Sequence, residues 1–312
     1  MDTFVIKLPR EFSVTNTQQN IQELYDCYDK SMLGNIDKVI FDFSCCKVLT
    51  PAGMVFIKMW KDNLVEAGKK TFYRKSDKST HNFLQKMGLL PIVANDENLS
   101  VEETFFYPLK LCNSVSECSD AHAYIISNVV QKDSVNINTY SAVDYMINEI
   151  WDNAGVHGYE CYNSTVYPKP VYICALEYDD SYEVCIGDRG QGIFNSLKKN
   201  NRDYKKSNKK EIIKAAIQNG ISGHPDGSPG FGLFSSAEFI RGGGGTLHIW
   251  SSGCYLHVTG KTDKIYNSRF EMGTLISFVF KKTAVMPFEE VVGNTYTSEA
   301  YIEDVIGGMF DE

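Results

Sequence analysis

The chain has 312 residues, 43% of them apolar and 22% charged, which excludes wholesale disorder and makes two domains the default arrangement. Its net charge of −8 argues against a general nucleic-acid binder, because phosphate contacts need a basic face. The first ten residues lack the basic and apolar runs of a signal peptide, and no apolar stretch approaches the roughly 18–20 residues of a membrane span, so a cytoplasmic protein without a membrane partner is expected.

Residues 3–8 read as a strand, and 17–33 as an amphipathic helix with Ile21, Leu24, Tyr25 and Tyr28 on one face. Residues 38–43 form a short apolar strand. Pro51 then opens a helix where its missing N–H costs least, and Gly68 ends it. A strand at 70–74 and a helix at 79–87 follow. This alternation predicts an α/β layer over residues 1–95. The polar residues 94–103 read as a linker.

The second domain, 104–283, opens with a strand at 105–111 and helices at 119–131 and 138–157. Strands follow at 171–176, 183–186, 246–250, 255–258 and 274–280. Short turns join several of them, which predicts antiparallel hairpins. Residues 195–230 are polar and carry no strand signal. Residues 284–312 hold Glu289, Glu290, Glu299, Glu303, Asp304, Asp311 and Glu312, and are expected to form a loosely attached acidic tail.

Four motifs in the second domain carry chemistry. On the helix at 138–157, Val143, Met146, Ile147, Ile150 and Ala154 form an apolar stripe, while Glu149, Asn153 and His157 fall four residues apart on another face. The amide oxygen of Asn153 suits Mg²⁺, a hard cation that keeps some of its waters. The Glu149 carboxylate can orient or deprotonate a group attacking a phosphate. Next, Gly187-Asp188-Arg189-Gly190-Gln191-Gly192 follows a strand. Asp188 can accept a hydrogen bond from an exocyclic amine such as that of adenine, and the two glycines allow close approach of the backbone. Then Gly227-Ser228-Pro229-Gly230-Phe231-Gly232-Leu233 leads into a helix; glycines at a helix start leave N–H groups free for an anion. Finally Gly273-Thr274 opens the last strand.

The order of these motifs between residues 149 and 274 resembles that of the gyrase, chaperone, histidine-kinase and MutL (GHKL) ATPases, whose domain is the Bergerat fold. The resemblance covers about residues 105–282. It implies a two-layer α/β sandwich with a mixed, mainly antiparallel sheet that binds ATP and Mg²⁺. By the same resemblance Asn153 would coordinate Mg²⁺ and Glu149 would be the catalytic carboxylate. Asp188 would bind the adenine amine, supported by Thr274, with Gly190 and Gly192 along the base. Gly230, Gly232 and Leu233 would meet the phosphates. Residues 195–229 would be the lid, and one of Lys198, Lys199, Arg202, Lys205, Lys206, Lys209, Lys210 and Lys214 is a candidate for a phosphate contact.

Glu149-Ile-Trp-Asp-Asn153-Ala-Gly-Val-His157-Gly158 is most similar to bacterial anti-sigma factor kinases, which phosphorylate Ser or Thr on small STAS-domain proteins. The first domain, with Val39-Ile-Phe-Asp-Phe-Ser44 and Leu49-Thr50-Pro51-Ala52-Gly53, itself resembles a STAS domain. Ala52 stands where that family has its phosphoacceptor serine, so the domain is expected to dock or sense. An ATPase or Ser/Thr protein kinase is the leading expectation, with a protein partner engaged through the STAS-like domain or the tail; an ATP-dependent switch without turnover is the alternative. Dimerisation, frequent among related ATPases, is left open.

Other classes lack their marks. The nine cysteines are scattered, without a CxxC pair, and read as reduced thiols. Gly68-Lys69-Lys70-Thr71 runs from helix to strand, the reverse of a P-loop. His122 lacks the neighbours of a phosphoaccepting histidine.

Overall fold

The computed structural model describes residues 2–13, 16–74, 77–90, 106–131, 135–160, 164–224 and 230–295. The expected linker at 94–103 lies outside them. The N-terminal unit contains a three-stranded parallel sheet of β1 (Asp2–Lys7), β3 (Ile36–Asp42) and β5 (Lys70–Arg74), with β3 central. Helices α1 (Thr17–Ser31) and α2 (Pro51–Glu66) make the crossovers, and α3 (Lys78–Lys86) follows β5. The short strands β2 (Glu11–Phe12) and β4 (Val48–Leu49) pair beside them. In α2, Met54, Val55, Phe56, Ile57, Met59 and Trp60 are all inaccessible to solvent. Apolar residues on more than one face of a helix need cover on more than one side: one side of α2 meets the N-terminal unit and another the sheet of the second region.

That second sheet has seven strands, all paired antiparallel. They are β6 (Phe106–Ser114), β7 (Val166–Glu177), β8 (Ser181–Asp188), β9 (Thr246–Ser251), β10 (Cys254–Thr259), β11 (Asp263–Asn267) and β12 (Thr274–Lys281). Their spatial order is β11-β10-β9-β12-β8-β7-β6. The hairpins expected from short turns are present at β7–β8 and β9–β10, whereas β11 carries no clear sequence signal. The face away from α2 is covered by α4 (Val115–Tyr124), α5 (Ile137–Asp152), α8 (Gly232–Gly243) and α9 (Phe288–Thr295). The polar stretch 195–230, read as carrying no strand, has none among its described residues; they contain most of α6 (Gly192–Asn200), a 3₁₀ turn (Arg202–Tyr204) and α7 (Lys209–Ala215). The last two helices are tied by a small core of Leu197, Ile212 and Ala216.

The start of the expected acidic tail, from residue 284, is instead packed on the second region. Ala284, Met286, Phe288, Val291 and Val292 are buried. Thr139 of α5 donates its hydroxyl to the Ala284 carbonyl at 2.7 Å and accepts the Met286 N–H at 3.1 Å. The acidic side chains at 289 and 290 are exposed while their neighbours fill the core; residues 296–312 lie outside the described ones. No helix among the described residues is long and apolar enough to cross a membrane, and the eight described cysteines are free thiols.

Candidate functional site

A cavity of about 220 Å³ opens between α5, the end of β8, α6 and the start of α8. It draws together residues more than a hundred positions apart: Glu149, Asn153, Asp188, Gly192, Gly230, Gly232, Leu233 and Thr274 all line it. Gly190 does not.

The first wall is α5. Its apolar stripe, Val143, Met146, Ile147 and Ile150, is buried against the sheet, which turns Glu149, Asn153 and His157 to the cavity. After Asp152 the helix widens into a π-helical turn over Asn153–His157, a departure from the continuous helix expected and one that recurs at functional sites. The Glu149 carbonyl accepts two hydrogen bonds there, from the Asn153 backbone N–H and from Asn153 Nδ2 at 2.6 Å. With Nδ2 engaged, the Asn153 amide oxygen is the atom left for a ligand. Burial, with the Asp152 charge as a smaller cause, pushes the Glu149 carboxyl up to about 7. Burial, with the nearby His224, pushes His157 down to about 4, so this imidazole is neutral at neutral pH. The two histidine rings meet edge-on with centroids 5.7 Å apart.

The second wall is the β8–β12 pair. Asp188 sits opposite Thr274 in the ladder and is 3% exposed. It accepts the Gly190 N–H at 2.7 Å. Burial raises its carboxyl to about 7, partly opposed by hydrogen bonds from Gly190 and Thr274. Ser251 Oγ lies 3.2 Å from Thr274 Oγ1. A Cβ on Gly190 would stand 2.0 Å from the Gly158 carbonyl oxygen. That glycine therefore serves the contact between the Asp188 turn and Gly158, just after the π-helical turn, not the ligand approach expected of it.

The third wall is the start of α8. Gly232 is its first residue, its N-cap residue Phe231 makes no side-chain capping bond, and a Cβ at Gly232 would stand 2.4 Å from Glu149 Oε2. The first turn of α8 thus packs directly against the Glu149 side chain at the cavity wall, with no room for a side chain between. Residues 227–229 of the glycine motif lie outside the described ones. The start of α6, also near the cavity, is already satisfied: the Ile193 and Phe194 N–H groups donate to Ser251 Oγ at 3.0 Å and Ser252 Oγ at 3.3 Å.

Sequence reasoning missed several cavity residues. Asp152 lies three residues from Glu149 and was legible from helical spacing. Ser196, Ile221 and His224 carry no local signal; Ser196 comes from α6, and Ile221 and His224 from the irregular segment after α7. Among the described residues, none of the eight basic side chains at 198–214 lines the cavity; Lys199 pairs with Glu160 and Lys209 with Glu271. No group of three or more His, Cys, Asp or Glu side chains gathers to hold a metal ion among them either. A cation here would take few protein ligands, as Mg²⁺ does when water and phosphate oxygens complete its shell.

Neither a scan of protein-family models nor a search of curated proteins finds a match to the chain.

Proposed function

We propose that the chain binds Mg-ATP in this cavity, as a GHKL-type protein with a Bergerat-fold region and a STAS-like N-terminal unit, and that it transfers or hydrolyses the γ-phosphoryl group. The observation that supports the reading is the convergence of Glu149, Asn153, Asp188, Gly232 and Thr274 on one cavity. A buried carboxylate beside a threonine hydroxyl suits the adenine amine. A helix start with glycine at its first position suits a phosphate, which meets backbone N–H groups and the positive end of the dipole. The residues fit Mg²⁺ through the Asn153 amide oxygen, and the ion would neutralise charge developing on the phosphates. Glu149, raised to about 7, is poised to take the proton of an attacking water or hydroxyl near neutral pH.

Incubation with γ-labelled ATP and Mg²⁺ tests the reading. Label on protein, or free phosphate, is the expected product, falling about 10²–10⁴-fold in Glu149→Ala, the usual contribution of a general base. Asp188→Asn weakens ATP binding by about tenfold to a hundredfold, as expected for a lost charged hydrogen bond. No nucleotide binding by the wild-type protein would reject the proposal.

A second reading, an ATP-dependent switch without turnover, is favoured by one observation. Ala52, at the start of α2, has no hydroxyl, is fully buried, and donates its N–H to Glu183 Oε1 at 3.0 Å. The helix start that would hold a phosphoacceptor is filled by the protein's own carboxylate. Tight binding with neither product selects this reading.

A further inference from the structure

Two turns build the base end of the cavity, and both continue to the other side of the large sheet. In the first, Asp188 faces the cavity while Arg189 turns toward the N-terminal unit. The Arg189 side chain is 4% exposed. Its Nη1 donates to Asn63 Oδ1 at 2.8 Å and its Nη2 to Glu66 Oε1 at 2.6 Å, acceptors one turn apart near the end of α2. Its guanidinium lies 5.9 Å from the centre of the Tyr172 ring, and its backbone N–H donates to Tyr159 Oη at 2.9 Å. Lys169 joins Glu66 from the other side at 3.0 Å.

The second turn precedes Gly273-Thr274. Phe270 and Met272 are buried in the core that α2 fills, with the Phe270 ring 6.2 Å from that of Phe56. Arg269 pairs with Asp26 and Asp29 of α1. The Arg269 N–H donates to Gln22 Oε1 at 3.2 Å, and the Glu271 N–H to Tyr25 Oη at 2.8 Å. The phosphate end differs: among the described residues, no hydrogen bond joins α6, α7 or α8 to residues 2–90.

We propose that the N-terminal unit sets the geometry of the base end, with Arg189 the positioning residue that fixes Asp188 through Asn63 and Glu66. The inference rests on the reading of the cavity as an ATP site. A guanidinium that donates to two acceptors on one helix is fixed in orientation as well as distance. The peptide that carries Arg189 carries Asp188 too, so a shift of α2 moves the carboxylate that reads the base. By linkage, occupancy of the base end alters α2 in return.

The test compares ATP with inosine triphosphate, which presents a carbonyl where adenine presents its amine, in the wild-type protein, Glu66→Gln and Asn63→Ala. The Glu66 side chain is 48% exposed, and glutamine keeps a carbonyl oxygen to accept from Arg189 Nη2, so Glu66→Gln removes the charge while leaving the acceptor in place. Wild-type protein prefers ATP. In either variant that preference falls about twofold to tenfold, the range over which residues outside a site tune it, while inosine triphosphate affinity and the thermal midpoint hold. Amide hydrogen exchange over residues 187–191, without nucleotide, rises in both. Equal wild-type affinity for the two nucleotides removes the assignment of Asp188 as base reader, and this proposal with it. A wild-type preference that survives undiminished in both variants overturns the tether and leaves the ATP site standing.

Discussion

Two buried acids on one strand, Glu183 and Asp188 of β8, have opposite fates because they point to opposite faces of the large sheet. Strand side chains alternate faces: Glu183, Cys185 and Gly187 meet α2, while Val184, Ile186 and Asp188 meet the cavity side. Burial raises both carboxyls to about 7. Glu183 is surrounded by protein donors, the Ala52 N–H at 3.0 Å, Ser277 Oγ at 3.1 Å and Tyr178 Oη at 3.0 Å. Asp188 has the Gly190 N–H and Thr274 beside it and opens on a cavity. A perturbed carboxyl therefore marks a site only where space for a ligand adjoins it; the same shift at Glu183 belongs to a filled interface.

The strongest way to break the comparison is Trp60→Ala. Trp60 is fully buried in α2 and donates its indole N–H to Ser31 Oγ at 3.1 Å, and its removal should cost about 3–5 kcal/mol. Because the two regions share that core, calorimetry should show one transition, shifted down as a whole. A separate low-temperature transition of the N-terminal unit would mean that the packed face is only a docking surface.

Glu183→Gln sharpens the contrast through pH. A carboxyl raised from 4.5 to about 7 on folding holds a proton that the unfolded chain has lost. Stability therefore falls as pH rises through that window and levels above it. Glutamine removes this loss, so the variant should denature at higher urea concentration than wild type at about pH 8 and match it near pH 4. Asp188 and Glu149, each raised to about 7, keep a remaining slope in the same window. An identical pH profile in the variant would exclude Glu183 as a contributor. The smallest effect belongs to the rim: Lys199, whose side chain is 60% exposed beside Glu160, should change stability by less than about 0.5 kcal/mol when replaced by alanine, and the proposed ATP binding should be unaltered because Lys199 does not line the cavity.

Much of this was legible in the sequence. The spacing of Glu149, Asn153 and His157 opposite an apolar stripe predicted which face of α5 meets the cavity, since helical periodicity depends only on near neighbours. Strand alternation and short turns predicted the antiparallel hairpins for the same reason. The edge strand β11 escaped because its residues alternate weakly, being intermediate or exposed throughout. Charge misled at Glu289 and Glu290, where two exposed acids flank residues that complete the core.

The chain's local patterns thus determined where helices and strands form and which side chains share a face. Only the tertiary structure decided that Gly190 yields to the Gly158 backbone, that Ser251 and Ser252 close the start of α6, and that Arg189 reaches α2. Such approaches arise between segments distant along the chain, where steric fit and burial select partners that no local pattern encodes.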